Sequence, residues 1–229
     1  MSAELLELAA AALGPLLDGV VFLGGASIHL WITDPAAPAT RATDDVDVIS
    51  AITTRVDYYK LGERLTDRGF QEASDSKVIC RWKHARTSLT LDVMPQAESV
   101  LGFSNQWYPH ALQTAAEKAL PSGTYIRAAT PPSIVATKLE AWNGRGHGDL
   151  LRSLDLHDVL IDGRTELQTA FDTEPHELRR YVADELTAIA AHPYFSDLLE
   201  SALHGHGSLS PSRARRLRDE IDTLISRNR

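Results

Sequence analysis

Arg41-Ala42-Thr43-Asp44-Asp45-Val46-Asp47-Val48-Ile49 is the stretch on which the reading of this chain turns. Val46 to Ile49 is strand-like, and on a strand residues i and i+2 point to the same face. Asp45 and Asp47 therefore present two carboxylates side by side. Neighbouring carboxylates that both stay ionised repel each other, and a divalent cation held by oxygen ligands relieves the repulsion. An Asp-x-Asp pair is also what a turn or a helix cap looks like, so its meaning rests on its surroundings.

Upstream, Gly19-Val20-Val21-Phe22-Leu23 is a short apolar run ending in Gly24-Gly25, the pattern of a buried strand entering a tight turn. The pattern predicts a helix over about 26–32, a proline-rich loop from Thr33 to Thr40, and a second strand at 46–49 lying beside the first. Before all of this, residues 3–17 have helical apolar spacing. Glu4 and Glu7 stand there where a secretory signal needs positive charge, which points to a helix of the mature protein.

Downstream, a helix is expected over 58–68, stopped by Gly69, with strands near 78–82 and 88–94. The second of these carries Asp92 close to its end, before Pro95. If that strand pairs beside the Asp45 strand, three carboxylates meet on neighbouring strands. Residues 96–130 carry weaker signals, with 125–128 as the best strand and 102–109 as a loop.

From Pro131 the pattern becomes almost entirely helical. Pro131-Pro132-Ser133 suits a first helical turn, and the helix should run to about Trp142. Breaks are expected at 143–148, 162–163, 192–193 and 204–210. The layout is α+β, a mixed sheet with flanking helices over residues 1–130 followed by a helical domain over 131–229.

Composition narrows the classes. The chain has 229 residues, 43% hydrophobic and 24% charged, as expected for a globular protein with a sizeable core. No run approaches the roughly 18 apolar residues of a membrane span, so no membrane partner is expected. Cys80 is the only cysteine, which excludes an intrachain disulfide and a multi-cysteine zinc site and suggests a reducing cytoplasm. It reads as a small packing residue. The net charge of −8 argues against a broadly basic nucleic-acid surface. Ser212 to Arg218 is locally basic, and reads either as a phosphate-binding patch or as a solvated helix face partnered by Asp219, Glu220 and Asp222. His147, His157 and the pair His204 and His206 read as polar surface or loop residues.

The ordered combination of strand, Gly-Gly, helix, Asp-x-Asp strand and later acid-bearing strand resembles the nucleotidyltransferase superfamily, typified by DNA polymerase β and the antibiotic nucleotidyltransferases. Within it the chain looks most similar to the AbiEii/AbiGii toxin-like branch, whose first motif often carries Arg-x-Thr-x-Asp-x-Asp, here Arg41 to Asp47. The branch also looks for a lysine helix, an arginine soon after and a later Asp-x-x-Asp. Here these stand as Lys138 within Pro132 to Trp142, then Arg145, then Asp155-Leu156-His157-Asp158. The match covers about residues 20–165.

The resemblance implies a nucleotidyltransferase-like sheet with two Mg²⁺ ions at Asp45, Asp47 and Asp92. The implied reaction moves a nucleoside monophosphate from an NTP to a hydroxyl-bearing acceptor and releases pyrophosphate. Gly24, Gly25 and Ser27 would meet the phosphates through backbone N–H groups and a hydroxyl. Lys138 and Arg145 would grip the triphosphate, and Asp155 or Asp158 would bind or help deprotonate the acceptor. The implied acceptors are tRNA, with the chain acting as the toxin of a toxin–antitoxin pair, or an aminoglycoside-type small molecule. A protein hydroxyl receiving AMP and a catalytically inactive nucleotide-binding scaffold are the remaining alternatives.

Overall fold

The computed structural model describes residues 2–33, 37, 43–144, 160, 164–196 and 211–228. Of the residues singled out above, Arg41, Arg145, His147, Asp155, His157, Asp158, His204 and His206 lie outside the described residues.

Helix α1 (Ser2–Leu13) buries Leu6, Ala9, Ala10 and Leu13, an i, i+3, i+4, i+7 stripe facing a sheet. It ends earlier than the apolar spacing suggested. Gly14 takes a positive φ of 53° and Pro15 follows, so the chain turns into a 3₁₀ helix over Gly14–Gly19 instead of continuing to residue 17. Strand β1 (Val20–Leu23) is buried at all four positions, which explains its unbroken apolar sequence. Gly24 then starts the short helix α2 (Gly24–Ile28), and a 3₁₀ turn covers His29–Trp31.

Strand β2 (Val46–Ser50) returns antiparallel to β1, with Val21 opposite Ile49 and Leu23 opposite Asp47. Helix α3 (Arg55–Asp67) starts three residues before the sequence expectation because Thr54 caps it. The Asp57 amide donates to Thr54 Oγ1 at 3.1 Å, and the Thr54 hydroxyl donates to the Asp57 carboxylate at 2.7 Å. Gly69, at φ 89°, releases the chain into β3 (Phe70–Glu72). Strands β4 (Arg81–His84) and β5 (Thr90–Pro95) follow, then α4 (Glu98–Leu101) and α5 (Tyr108–Thr114). Strands β6 (Ala116–Ala119) and β7 (Tyr125–Ala128) form the last hairpin.

The seven strands make one mixed sheet in the order β3-β4-β5-β2-β1-β7-β6. The β2–β5 and β1–β7 pairs are parallel and the other four are antiparallel. With its flanking helices the arrangement is a mixed α+β fold. Its core joins Leu6 and Leu13 of α1 and Leu65 of α3 to Phe22, Val46, Val48, Phe70, Trp82 and Leu91 of the strands. Burial of such side chains stabilises by about 1.5–3 kcal/mol each before conformational entropy is counted.

The chain divides into two compact units. One comprises Met1–Leu30 and Ala42–Thr130 and contains the sheet; the other comprises Trp31–Arg41 and Pro131–Arg229. The second unit is helical where described: α6 (Pro131–Gly144), α7 (Arg164–Phe171), α8 (His176–Ala190) and α9 (Pro211–Asn228). Helix α8 packs on α9, where Leu178, Val182, Leu186, Leu217, Ile221 and Leu224 are buried. The Tyr181 hydroxyl donates to Glu140 at 2.7 Å, and Gln168 donates to the buried Glu220 at 2.7 Å. Among the described residues no helix is long and apolar enough to cross a membrane.

Candidate active site: an acidic row across the central strands

Strand register assembles the acidic motif. In the parallel β2–β5 pair Asp47 stands directly opposite Asp92, and in the antiparallel β4–β5 pair Arg81 stands opposite Asp92. Arg81, Asp92, Asp47 and Leu23 thus form one row across β4, β5, β2 and β1. Directly paired residues share a face of a sheet, so Arg81 and the two aspartates point the same way. Asp45, two residues before Asp47, shares that face but lies just ahead of β2, which begins at Val46.

The glycine pair has a steric role in this geometry. Gly24 has φ 72°, and a side chain there would run into the Asp47 carboxylate. A Cβ at Gly25 would run into Thr43 Cγ2. Without side chains at these two positions, the Thr43 to Asp47 segment can lie directly against the β1–α2 turn. Thr43 also donates through Oγ1 to the Asp45 carbonyl at 3.3 Å, fixing the approach to the strand. Ser27 is fully buried, and its hydroxyl donates to the Gly24 carbonyl at 3.0 Å within the turn.

Arg81 is the residue that sequence reasoning did not single out. Its Nε and one terminal nitrogen donate to the two carboxylate oxygens of Asp92, each at 2.8 Å, a fork-on-fork pair. The same terminal nitrogen donates to Asp45 Oδ2 at 2.5 Å. The guanidinium therefore stands between Asp45 and Asp92. Asp92 has only 8% of its side-chain surface exposed, whereas Arg81 has 24% and Asp45 34%. The cluster is anchored at Asp92 and open to solvent on the Arg81 and Asp45 side.

The electrostatics follow from this layout. Burial, followed by the Asp92 charge, raises the Asp45 carboxyl above its usual range, while the Arg81 guanidinium pulls in the other direction. The hydrogen bonds to Asp92 hold Arg81 more firmly protonated than a free arginine. Cys80, next in sequence, is buried and its thiol is pushed up to about 12, by burial first and then by Asp92 and Asp47. It is a packed thiol and not a nucleophile.

In chemical kind, the carboxylates suit a hard cation such as Mg²⁺, which takes oxygen ligands and keeps several waters in a partly solvent-open site. Asp45, Asp47 and Asp92 would be the protein ligands. Among the described residues, however, no group of three or more His, Cys, Asp or Glu side chains is drawn together tightly enough to enclose a metal ion. Asp45 and Asp92 are instead drawn onto Arg81.

Lys138 lies half-buried on α6 in the second unit, seven residues before Arg145. A cavity of about 600 Å³ beside α3 and β3 is walled by Tyr58, Phe70 and Trp82. Trp82 follows Arg81 on β4 and so faces the opposite side of the sheet, which separates this cavity from the acidic row. Compared with known proteins, the chain matches no family model and no curated protein.

Proposed function

We propose that the chain is a divalent-cation-dependent nucleotidyltransferase with a nucleotidyltransferase-like sheet. The observation that carries the reading is the register of Asp47 opposite Asp92 on parallel neighbouring strands, with Asp45 on the same face and Gly24 against Asp47. The reading is supported by residues far apart in the chain sharing one face of adjacent strands.

In this reading Asp45, Asp47 and Asp92 would hold Mg²⁺, which when bound would neutralise triphosphate charge and make the acceptor hydroxyl more acidic. The acceptor oxygen attacks the α-phosphorus, the bond to the bridging oxygen breaks, and pyrophosphate leaves. The hydroxyl proton passes to a carboxylate oxygen of Asp92, deep in the row and least able to move. Acceptor RNA in a toxin–antitoxin setting is the first candidate and a small hydroxylated molecule the second.

One observation favours a different reading. Arg81 already supplies a counter-charge to Asp45 and Asp92, as suits a scaffold that kept the fold without turnover. The two readings separate in one experiment: α-labelled NTPs with Mg²⁺ offered to total tRNA, a panel of aminoglycosides and lysate protein. The enzyme reading expects label in one acceptor class, reduced at least about a hundredfold by Asp47→Asn. Label in none with NTP binding retained favours the nucleotide-binding scaffold, and label in none with no Mg²⁺-dependent NTP binding overturns the enzyme reading.

A further inference from the structure

We propose that Arg81 is a resident counter-cation that a divalent metal has to displace from Asp45 and Asp92, so that metal entry and release of Arg81 are one event. The proposal rests on the nucleotidyltransferase reading.

Three features carry it. First, both carboxylate oxygens of Asp92 and one of Asp45 are engaged by the guanidinium. A metal ion coordinated directly by those oxygens shares them with the guanidinium, and two cations on the same atoms repel. Second, in the forked pair Arg81 is more movable than Asp92. Asp92 is nearly enclosed and sits in register between β2 and β4, while the Arg81 side chain is three times as exposed (24% against 8%). Third, the Arg81 backbone is pinned by its pairing with Asp92 and by the Ala73 amide donating to the Arg81 carbonyl at 2.9 Å. Release is therefore a swing of the side chain and leaves the strands in place.

Two consequences follow. The apparent affinity for the metal is reduced by the fraction of molecules in which Arg81 holds the carboxylates. A freed guanidinium also gains a new partner when triphosphate arrives, because phosphate offers its fork the same two-oxygen geometry as a carboxylate. Metal and nucleotide together then open the site more readily than metal alone, and Arg81 is the residue that couples them.

The test is a Mn²⁺ titration followed by electron paramagnetic resonance on the full chain, with and without a non-hydrolysable NTP analogue. It compares wild type with Arg81→Met, which has no charge, and Arg81→Lys, which keeps the charge without the fork. The expected result is Mn²⁺ binding about tenfold tighter in Arg81→Met and intermediate in Arg81→Lys, since a charge-assisted pair of this kind is worth at least one decade. The nucleotide analogue should tighten Mn²⁺ binding more in wild type than in Arg81→Met. Without added metal both variants should melt below wild type, and the gap should narrow as Mn²⁺ is added. If Arg81→Met does not fold, Arg81→Lys carries the comparison. Mn²⁺ binding to wild type with equal or weaker binding to the folded variants overturns the role of Arg81 and leaves the enzyme reading standing. No Mn²⁺ binding to any of the three, with or without nucleotide, overturns the enzyme reading and this proposal with it.

Discussion

Asp45 is the residue on which stability and the proposed chemistry pull apart. Its carboxyl is raised, by burial and then by the Asp92 charge, against the pull of Arg81. A native carboxyl with a raised pKa holds its proton more tightly than the same group in the unfolded chain. Its stabilising contribution is therefore present below the ordinary aspartate value of about 4 and is lost as pH rises through the raised one. Asp45→Asn removes that dependence while keeping an oxygen for Arg81. Relative to wild type, the variant should have a more favourable melting midpoint at about pH 7 than at about pH 3.5, in buffers free of divalent cations. Adding Mn²⁺ at neutral pH should raise the midpoint of wild type more than that of the variant, because a bound ligand stabilises wild type and the variant lacks one of the proposed metal ligands. Thermal melts of both proteins at the two pH values, with and without Mn²⁺, check both parts. A midpoint difference that does not change with pH would mean that Asp45 is not under the strain assigned to it.

At the scale of elements, the turn from β1 to α2 and the approach to β2 are one steric unit. Gly24→Ala forces a side chain into the Asp47 carboxylate at a backbone angle that suits glycine. It should cost about 1–3 kcal/mol in urea unfolding and move Asp47 out of line with Asp92, reducing metal binding as well. The strands that hold the motif were legible in the sequence because their signals are local: an apolar run into Gly-Gly, and apolar residues alternating with Asp45 and Asp47. Asp92 was legible for the same reason, and its strand does pair beside β2. Arg81 was not. It occurs in a recognisably strand-like run, but its role exists only through a register that sets it opposite Asp92, and no local pattern encodes that register. The available signal was alternation, since Arg81 faces away from buried Trp82 and so lies on the polar face of an otherwise ordinary strand. Strands β3 and β6 escaped for another reason. Phe-Gln-Glu and Ala-Glu-Lys-Ala carry little apolar alternation, and they are strands because β4 and β7 offer them edges to pair with.

Across the whole sheet, burial and pairing grade from the middle outward. Strand β2 is central, paired on both sides along its length to β1 and β5, and four of its five residues are buried. Strands β3 and β6 close the sheet at either end, three and four residues long, each paired on one side. Amides in doubly paired, buried strands exchange through openings close to global unfolding, whereas edge strands exchange through local fraying. Hydrogen exchange followed by mass spectrometry should therefore find the slowest amides in β1, β2 and β5 and much faster ones in β3 and β6. The proposed site makes the pattern more specific. A cation held by Asp45, Asp47 and Asp92 would tie β2 to β5 and free Arg81 on β4, so Mn²⁺ with an NTP analogue should slow exchange in β2 and β5 and leave β6 unchanged. A uniform slowing over the whole sheet would point to general stabilisation and not to a ligand seated on this row. Slow exchange in β3 equal to that in β2 would contradict the strand order itself.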